Sequence, residues 1–190
     1  QGLCGDTRLY TFSDNHDVER LPNKLRQRAH IRHVAILVYT LWGIPSIYYG
    51  SEFGIEGKKE WGSDWPLRPC LDLADFENAI RENPVTSVYA ALGRLKATEP
   101  ALTEGRPQEL LLTTERYAFA RVWEGRALVT VLNNADAPAR LELPLPVPAG
   151  QAEDLLADCA GSQDVNARVE NGRLIVELPG NYGTVLGLGC

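Results

Sequence analysis

Methionine does not occur in these 190 residues, and the chain opens on Gln1. A reading frame starts on Met, so the sequence reads as a processed product or a piece of a longer chain. Histidine is scarce, at 3 residues, and the 4 cysteines (Cys4, Cys70, Cys159, Cys190) are scattered, with no CxxC pair and no neighbouring His. The ligand spacing of a zinc site is therefore missing, and no metal is expected. Nothing in the cysteine spacing selects a disulfide, and free thiols in a reducing compartment are the simpler reading. No basic segment followed by an apolar one opens the sequence, so no secretory leader is visible. The location is left unsettled, with the cytoplasm as the default. Long apolar runs are missing too. The longest uncharged stretch, residues 33–51, is broken by Gly43, Pro45 and Ser46 and reads as a helix and a buried strand rather than a membrane span. Positive charge is also in deficit. Lys and Arg number 19 against 25 Asp and Glu, a net charge of −6, which argues against a nucleic-acid backbone or an anionic membrane as the main partner.

What is present is the composition of an ordinary globular chain, 44% apolar and 23% charged, long enough for one or two domains. Its character changes near residue 100. Residues 9–13 form a short strand candidate. Ile31, Val34, Ala35, Val38, Leu41 and Trp42 follow helical spacing, and Ile36, Leu37 and Tyr39 on the other face imply burial on more than one side. Gly43 should end that helix, and residues 44–49 read as a second strand. Asn83-Pro84 is an N-cap with Pro in the first turn. It opens a helix striped by Val85, Val88, Tyr89, Leu92 and Leu95 and stopped by Pro100. This order implies parallel strands joined by helical crossovers.

After residue 105 the period becomes two. Tyr117, Phe119, Arg121 and Trp123 alternate with Ala118, Ala120 and Val122, and Glu124-Gly125 turns into residues 127–132. Further strands are expected at 140–145, 165–169, 174–178 and 184–188, with Asn171-Gly172 as a hairpin turn. The fold class expected is therefore α/β followed by an antiparallel β-sandwich, divided into residues 1–104 and 105–190. Two parallel strands with their helices cannot close a barrel or cover a sheet, so the first part should need another chain, the rest of its own, or self-association.

The strand at 9–13 runs into Asp14-Asn15-His16-Asp17-Val18-Glu19-Arg20, which packs three acids, a His and an Arg into one loop. Ligands of parallel α/β architectures sit at the carboxyl ends of strands, where this loop lies. Residues Tyr49 and Glu52 occupy the corresponding end of the second strand. Phe12-Ser13-Asp14-Asn15-His16-Asp17 resembles the FxxNHD motif of the α-amylase family of glycoside hydrolases, where it ends the seventh strand of a (β/α)8 barrel. Residues 43–54 (GIPSIYYGSEFG) resemble that family's eighth-strand segment, GxPxxYYGxExG, and residues 88–105 resemble its last barrel helix and the exit into a β-sandwich domain. The resemblance implies the last two βα units of the barrel plus the C-terminal sandwich.

By this resemblance, Asp17 matches the third invariant carboxylate, which orients the sugar and favours its distorted ring, and His16 matches the histidine that hydrogen-bonds the same sugar. Asn15 and Arg20 are expected to bind substrate, and Tyr49 and Glu52 to support the site. The family's nucleophile and general acid end the fourth and fifth strands, which this sequence does not contain. An acid pair made from Asp17 and Glu52 is not expected, because a half-open sheet would neither exclude water nor fix the carboxyl spacing of about 5–5.5 Å that retention needs. The loop at 55–72 departs from the family's commoner forms, and Trp61 and Trp65 in it are expected either to stack on sugar or to pack beneath the loop. Arg20, Lys24, Arg26, Arg28 and Arg32 read as a solvated helix face, and His30 and His33 as structural. The resemblance implies an α-glucan or maltooligosaccharide substrate and no cofactor from this segment, with calcium possible in a longer parent protein. The alternative is a non-catalytic carbohydrate-binding or scaffold piece acting with a partner chain.

Overall fold

The computed structural model describes residues 7–189; Cys4 and Cys190 lie outside the described residues. Strand β1 (Leu9–Thr11) pairs in parallel with β2 (Gly43–Pro45), with Leu9 opposite Gly43. Between them run the short α1 (Leu21–Lys24) and α2 (His30–Thr40). Both strands are shorter than the sequence suggests. Pro45 has no N–H, and with one partner strand the ladder ends after Ser46 N–H donates to the Thr11 carbonyl at 2.8 Å. Helix α2 stops at Thr40, whose hydroxyl donates back to the Ile36 carbonyl, and Leu41 is already extended. A long loop with 3-10 turns leads to α3 (Ala79–Glu82) and α4 (Pro84–Thr98), and α5 (Pro100–Thr103) follows. Asn83 caps α4, its side-chain oxygen accepting from the N–H groups of Val85 and Thr86.

The remaining strands are β3 (Arg106–Leu112), β4 (Arg116–Trp123), β5 (Arg126–Asn133), β6 (Ala139–Pro144), β7 (Ala152–Asp154), β8 (Asn166–Glu170), β9 (Arg173–Leu178) and β10 (Tyr182–Leu188). They form two antiparallel sheets ordered β3-β4-β5-β10-β7 and β6-β9-β8. Glu124-Gly125 and Asn171-Gly172 make the expected tight turns, with positive φ at all four residues. Strands β3 and β7 carry no clear alternation. Strand β3 is a mostly exposed edge that tolerates Pro107 and slips register between Glu109 and Leu111.

The inner faces of the two sheets share a core that includes Ala118, Val129, Val131, Leu143, Leu174, Val176 and Leu186. A second core joins the helices to the opposite face of the larger sheet, drawing Ile31, Ile36, Val88 and Leu92 together with Leu128, Leu132 and Val185. Strand β10 is therefore buried on both faces. Gly183 permits that: a Cβ there would meet Leu132 Cδ2 at 2.5 Å, with Ile36 of α2 directly beyond. Arg121 ties the layers at their edge. It is 1% exposed and donates to the carbonyls of Gly105, Thr40 and Leu41. On the free side Leu9, Tyr10, Phe12 and Ile44 stay substantially exposed around β1 and β2. Among the described residues no helix is long and apolar enough to cross a membrane, and no three metal-ligating side chains cluster.

Candidate functional site

The loop after β1 is built on Asp14, which is 2% exposed. Its Oδ2 accepts from the Leu21 N–H at 3.0 Å, fixing the loop's far end at the start of α1. Its Oδ1 accepts from the Ser51 hydroxyl at 2.8 Å, tying the loop to the segment after β2. That segment is a single 3-10 turn, Ser51–Phe53, bracketed by Gly50 (φ +85°) and Gly54 (φ +68°). Gly50 has a second reason to be glycine, since a Cβ there would come within 2.3 Å of Ile55 Cδ1. Within the loop, Asn15 Oδ1 accepts from the Asp17 N–H at 2.8 Å in an Asx turn. Asn15 thus shapes the backbone that presents His16 and Asp17.

His16 and Asp17 project outward, with side chains 56% and 58% exposed, and His16 Nε2 lies 3.2 Å from Asp17 Oδ2. Asp17 Oδ1 faces Arg68 Nη2 at 3.5 Å, and Arg68 also approaches Asp64 at 3.4 Å and donates to the His16 carbonyl. Lys59 closes the cluster, reaching Asp64 at 3.4 Å and the Asp17 carbonyl at 3.1 Å. Exposed pairs of this kind contribute about 0–1 kcal/mol each to stability, so their consequence is orientation. Trp61 is fully exposed and Trp65 nearly so, on the same loop as Arg68. In this structure neither indole packs beneath the loop.

Arg20, expected at the sugar, is fully buried. It donates from Nη1 to the Tyr49 carbonyl at 2.8 Å and lies 4.2 Å over the Tyr48 ring. Its Nε and Nη2 have no acceptor among the described residues. In this arrangement it holds the tyrosine segment from beneath. Burial, helped by the Tyr49 hydrogen bond, pushes the Tyr48 hydroxyl above its ordinary pKa. Tyr49 donates from its hydroxyl to the Pro69 carbonyl and so joins the β2 end to the loop that carries Arg68. Glu52 lies apart from the Asp17 cluster. It lines a cleft of about 630 Å³ with Tyr39, Phe53 and Phe76, and its Oε2 is buried with no partner among the described residues.

The arginines do not form one solvated helix face. Arg28 reaches Glu56 and the Gly54 carbonyl, and Arg32 reaches Gly183 in the sandwich. His30 and His33 both contact the sandwich, at Asn181 and at the Asn133 carbonyl. Tyr182 is buried, and Trp123 is partly exposed at a strand end.

For two side chains of the site the sequence did not disclose the partners. Asp14 looked like one more acid in a charged loop, and only its burial against Ser51 and Leu21 distinguishes it. Arg68 is separated from Asp17 by 51 residues, and no local pattern links them.

No protein-family model matches the chain. A cyclomaltodextrin glucanotransferase of Bacillus sp. strain 38-2 is 28% identical over 148 residues, covering 77% of this chain and 20% of that protein. The solved structure of an Anoxybacillus α-amylase superposes with a TM-score of 0.70 at 25% identity, over 96% of this chain and 38% of that one. The chain is a relative of the α-amylase family enzymes. A three-domain cyclomaltodextrin glucanotransferase matches its fold more closely, with a TM-score of 0.78 at 23% identity, over 96% of this chain and 37% of that one. The chain thus spans about a fifth of the length of the curated relative and well under half of the solved structures. The His16–Asp17 loop and the Tyr48–Glu52 segment, which follow β1 and β2, are joined by Asp14, Ser51 and Arg20.

Proposed function

We propose that this chain supplies the sugar-orienting side of an active site in a retaining α-glucan-active glycoside hydrolase. In this reading residues 1–104 are the last part of a (β/α)8 catalytic domain and residues 105–190 its C-terminal sandwich. The observation that carries it is the His16–Asp17 pair, 3.2 Å apart on a loop that follows a parallel strand and reached by Arg68 and Lys59 of the loop that also carries two exposed indoles. Asp17 accepts hydrogen bonds from hydroxyls of the sugar at the cleavage point, and His16 donates to the same ring. Charge-assisted bonds of this type contribute about 1.5–3 kcal/mol each, and they accelerate cleavage to the extent that they tighten as the ring flattens towards the oxocarbenium-like transition state. Arg68 keeps the Asp17 carboxylate turned toward the rim, and Asn15 sets the backbone from which both side chains project. Retention requires a nucleophile and an acid carboxyl close together, and these come from residues outside this chain.

The test is an assay of the purified 190-residue chain on a chromogenic maltooside. The expected result is no turnover; turnover that Asp17→Ala abolishes would refute the division of labour. The exposure of Trp61 and Trp65 favours one other reading, a non-catalytic carbohydrate-binding or scaffold piece acting with a partner chain. Calorimetry with maltoheptaose separates the two. Binding lost in Trp61→Ala and Trp65→Ala but unchanged in Asp17→Ala supports the binding piece.

A further inference from the structure

One cavity belongs to neither the Asp17 loop nor the Glu52 cleft. It lies between α2, the start of α4 and the turn entering β10, and measures about 470 Å³, within the range of about 300–1,000 Å³ typical of small-ligand sites. Its floor is apolar, formed by Ile31 and Ala35 from α2 and Val85 and Val88 from α4. Two arginines, Arg28 and Arg32, line it, and no carboxylate does.

The two arginines are held differently. Arg28 is committed, with Nη1 on Glu56 at 2.7 Å and Nη2 on the Gly54 carbonyl at 3.2 Å. Arg32 donates only from Nε, to the Gly183 carbonyl at 2.7 Å, while its guanidinium lies 4.4 Å from the Tyr182 ring centre. Those two contacts fix the plane of the guanidinium and leave its amino groups without an acceptor among the described residues. Nη2 is buried with no partner among the described residues. A guanidinium presents five donors in a rigid fork matched to a carboxylate, and a buried donor left unpaired costs about 1–3 kcal/mol. A planar anion at this wall relieves that cost.

We propose that this cavity binds a small organic anion, with its carboxylate on Arg32 and its hydrocarbon body over Ile31, Ala35, Val85 and Val88. The sign of the ligand follows from Arg32, whose charge meets no carboxylate among the residues lining the cavity, while Glu56 already pairs Arg28. Its hydrocarbon body follows from the apolar floor, which a bare inorganic ion would leave unfilled. The site shares no residue with the Asp17 loop, so it stands or falls separately from the glycosidase reading.

The test is a titration of the isotope-labelled chain, followed by amide resonances, with hexanoate, hexanamide and inorganic phosphate in turn. Hexanoate is expected to shift Ile31, Ala35 and Val88 saturably. Hexanamide, which has the same body without the charge, should bind about tenfold more weakly, the loss of one charge-assisted hydrogen bond. Phosphate alone should leave Val85 and Val88 unmoved. Arg32→Gln should weaken hexanoate by a similar factor. If that variant loses its native spectrum, Arg28→Gln serves instead, with a smaller loss expected from the removal of the second positive charge. Equal binding of hexanoate and hexanamide would overturn the proposal, as would phosphate shifting the valines, or unchanged affinity in whichever arginine variant folds.

Discussion

Replacing Asp14 by alanine tests whether this one buried carboxylate holds the two strand-end loops together. The side chain is 2% exposed and accepts from the Leu21 N–H at 3.0 Å, the Ser51 hydroxyl at 2.8 Å and the Ser13 hydroxyl at 3.0 Å. Ser13 is only part-buried and can turn to water, so its loss should count for little. The Leu21 and Ser51 donors are buried, and each buried donor left without an acceptor costs about 1–3 kcal/mol. Asp14→Ala should therefore destabilise the chain by about 3 kcal/mol. For a chain of this size that corresponds to a fall in Tm of about 6–12 °C. Asp14→Asn retains one acceptor oxygen and should lose about half as much. Ser51→Ala should cost about 1 kcal/mol, and the double mutant should cost less than the sum, because both substitutions break the same bond. Urea denaturation of the four variants measures all of this. A loss under about 0.5 kcal/mol for Asp14→Ala, or strict additivity with Ser51→Ala, would show that the anchoring argument is wrong.

Three further outcomes follow from the packing. Burial of its ring against the sheet lowers the His33 pKa from 6.5 to about 4, outweighing the Nε2 hydrogen bond to the Asn133 carbonyl, which favours the charged form. The unfolded chain then binds a proton between those values that the folded one does not, so stability should fall by about 3 kcal/mol on acidification from pH 6.5 to 4 and stay flat above pH 6.5 as far as this group is concerned. Denaturation across that range should show the slope, and His33→Gln should flatten it. Arg121→Ala removes a buried cation that satisfies three carbonyls where α2 meets the sheet, and should cost about 3–5 kcal/mol, with Arg121→Lys recovering only part. Thermal melts would check this, and a shift below about 2 °C would count against it. The exposed Leu9, Tyr10, Phe12 and Ile44, around a parallel pair with no third strand among the described residues, should make the isolated chain self-associate. Size-exclusion chromatography should show this and Ile44→Lys should reduce it; a clean monomer that binds no hydrophobic dye would contradict it.

Local chemistry settled much of the architecture in advance. Helix α4 begins where Asn83-Pro84 says it should, because the capping bond and the proline act within one turn. The hairpins at Glu124-Gly125 and Asn171-Gly172 are likewise local, since only residues that tolerate positive φ fit those turns. The motif around His16 and Asp17 could be read because its residues are consecutive. Strand β3 could not be, since an exposed edge strand has no face that demands apolar residues.

The sequence by itself determined the order of elements, the change from helical to alternating period near residue 100, and the two strand ends that carry the proposed site. Only the tertiary structure decided which charges in those loops are buried and which are free. Asp14 and Arg20 each lie three residues from Asp17, yet they hold the loops from within while Asp17 faces solvent. Arg121 alternates with aromatic residues along its strand and still ends in a buried network with the end of α2. The reason is common to all of them. Burial of a polar group depends on whether distant chain segments supply its hydrogen-bond partners, and those partners (Ser51, Tyr49, Arg68, Thr40) are brought near only by the packing of one layer on another.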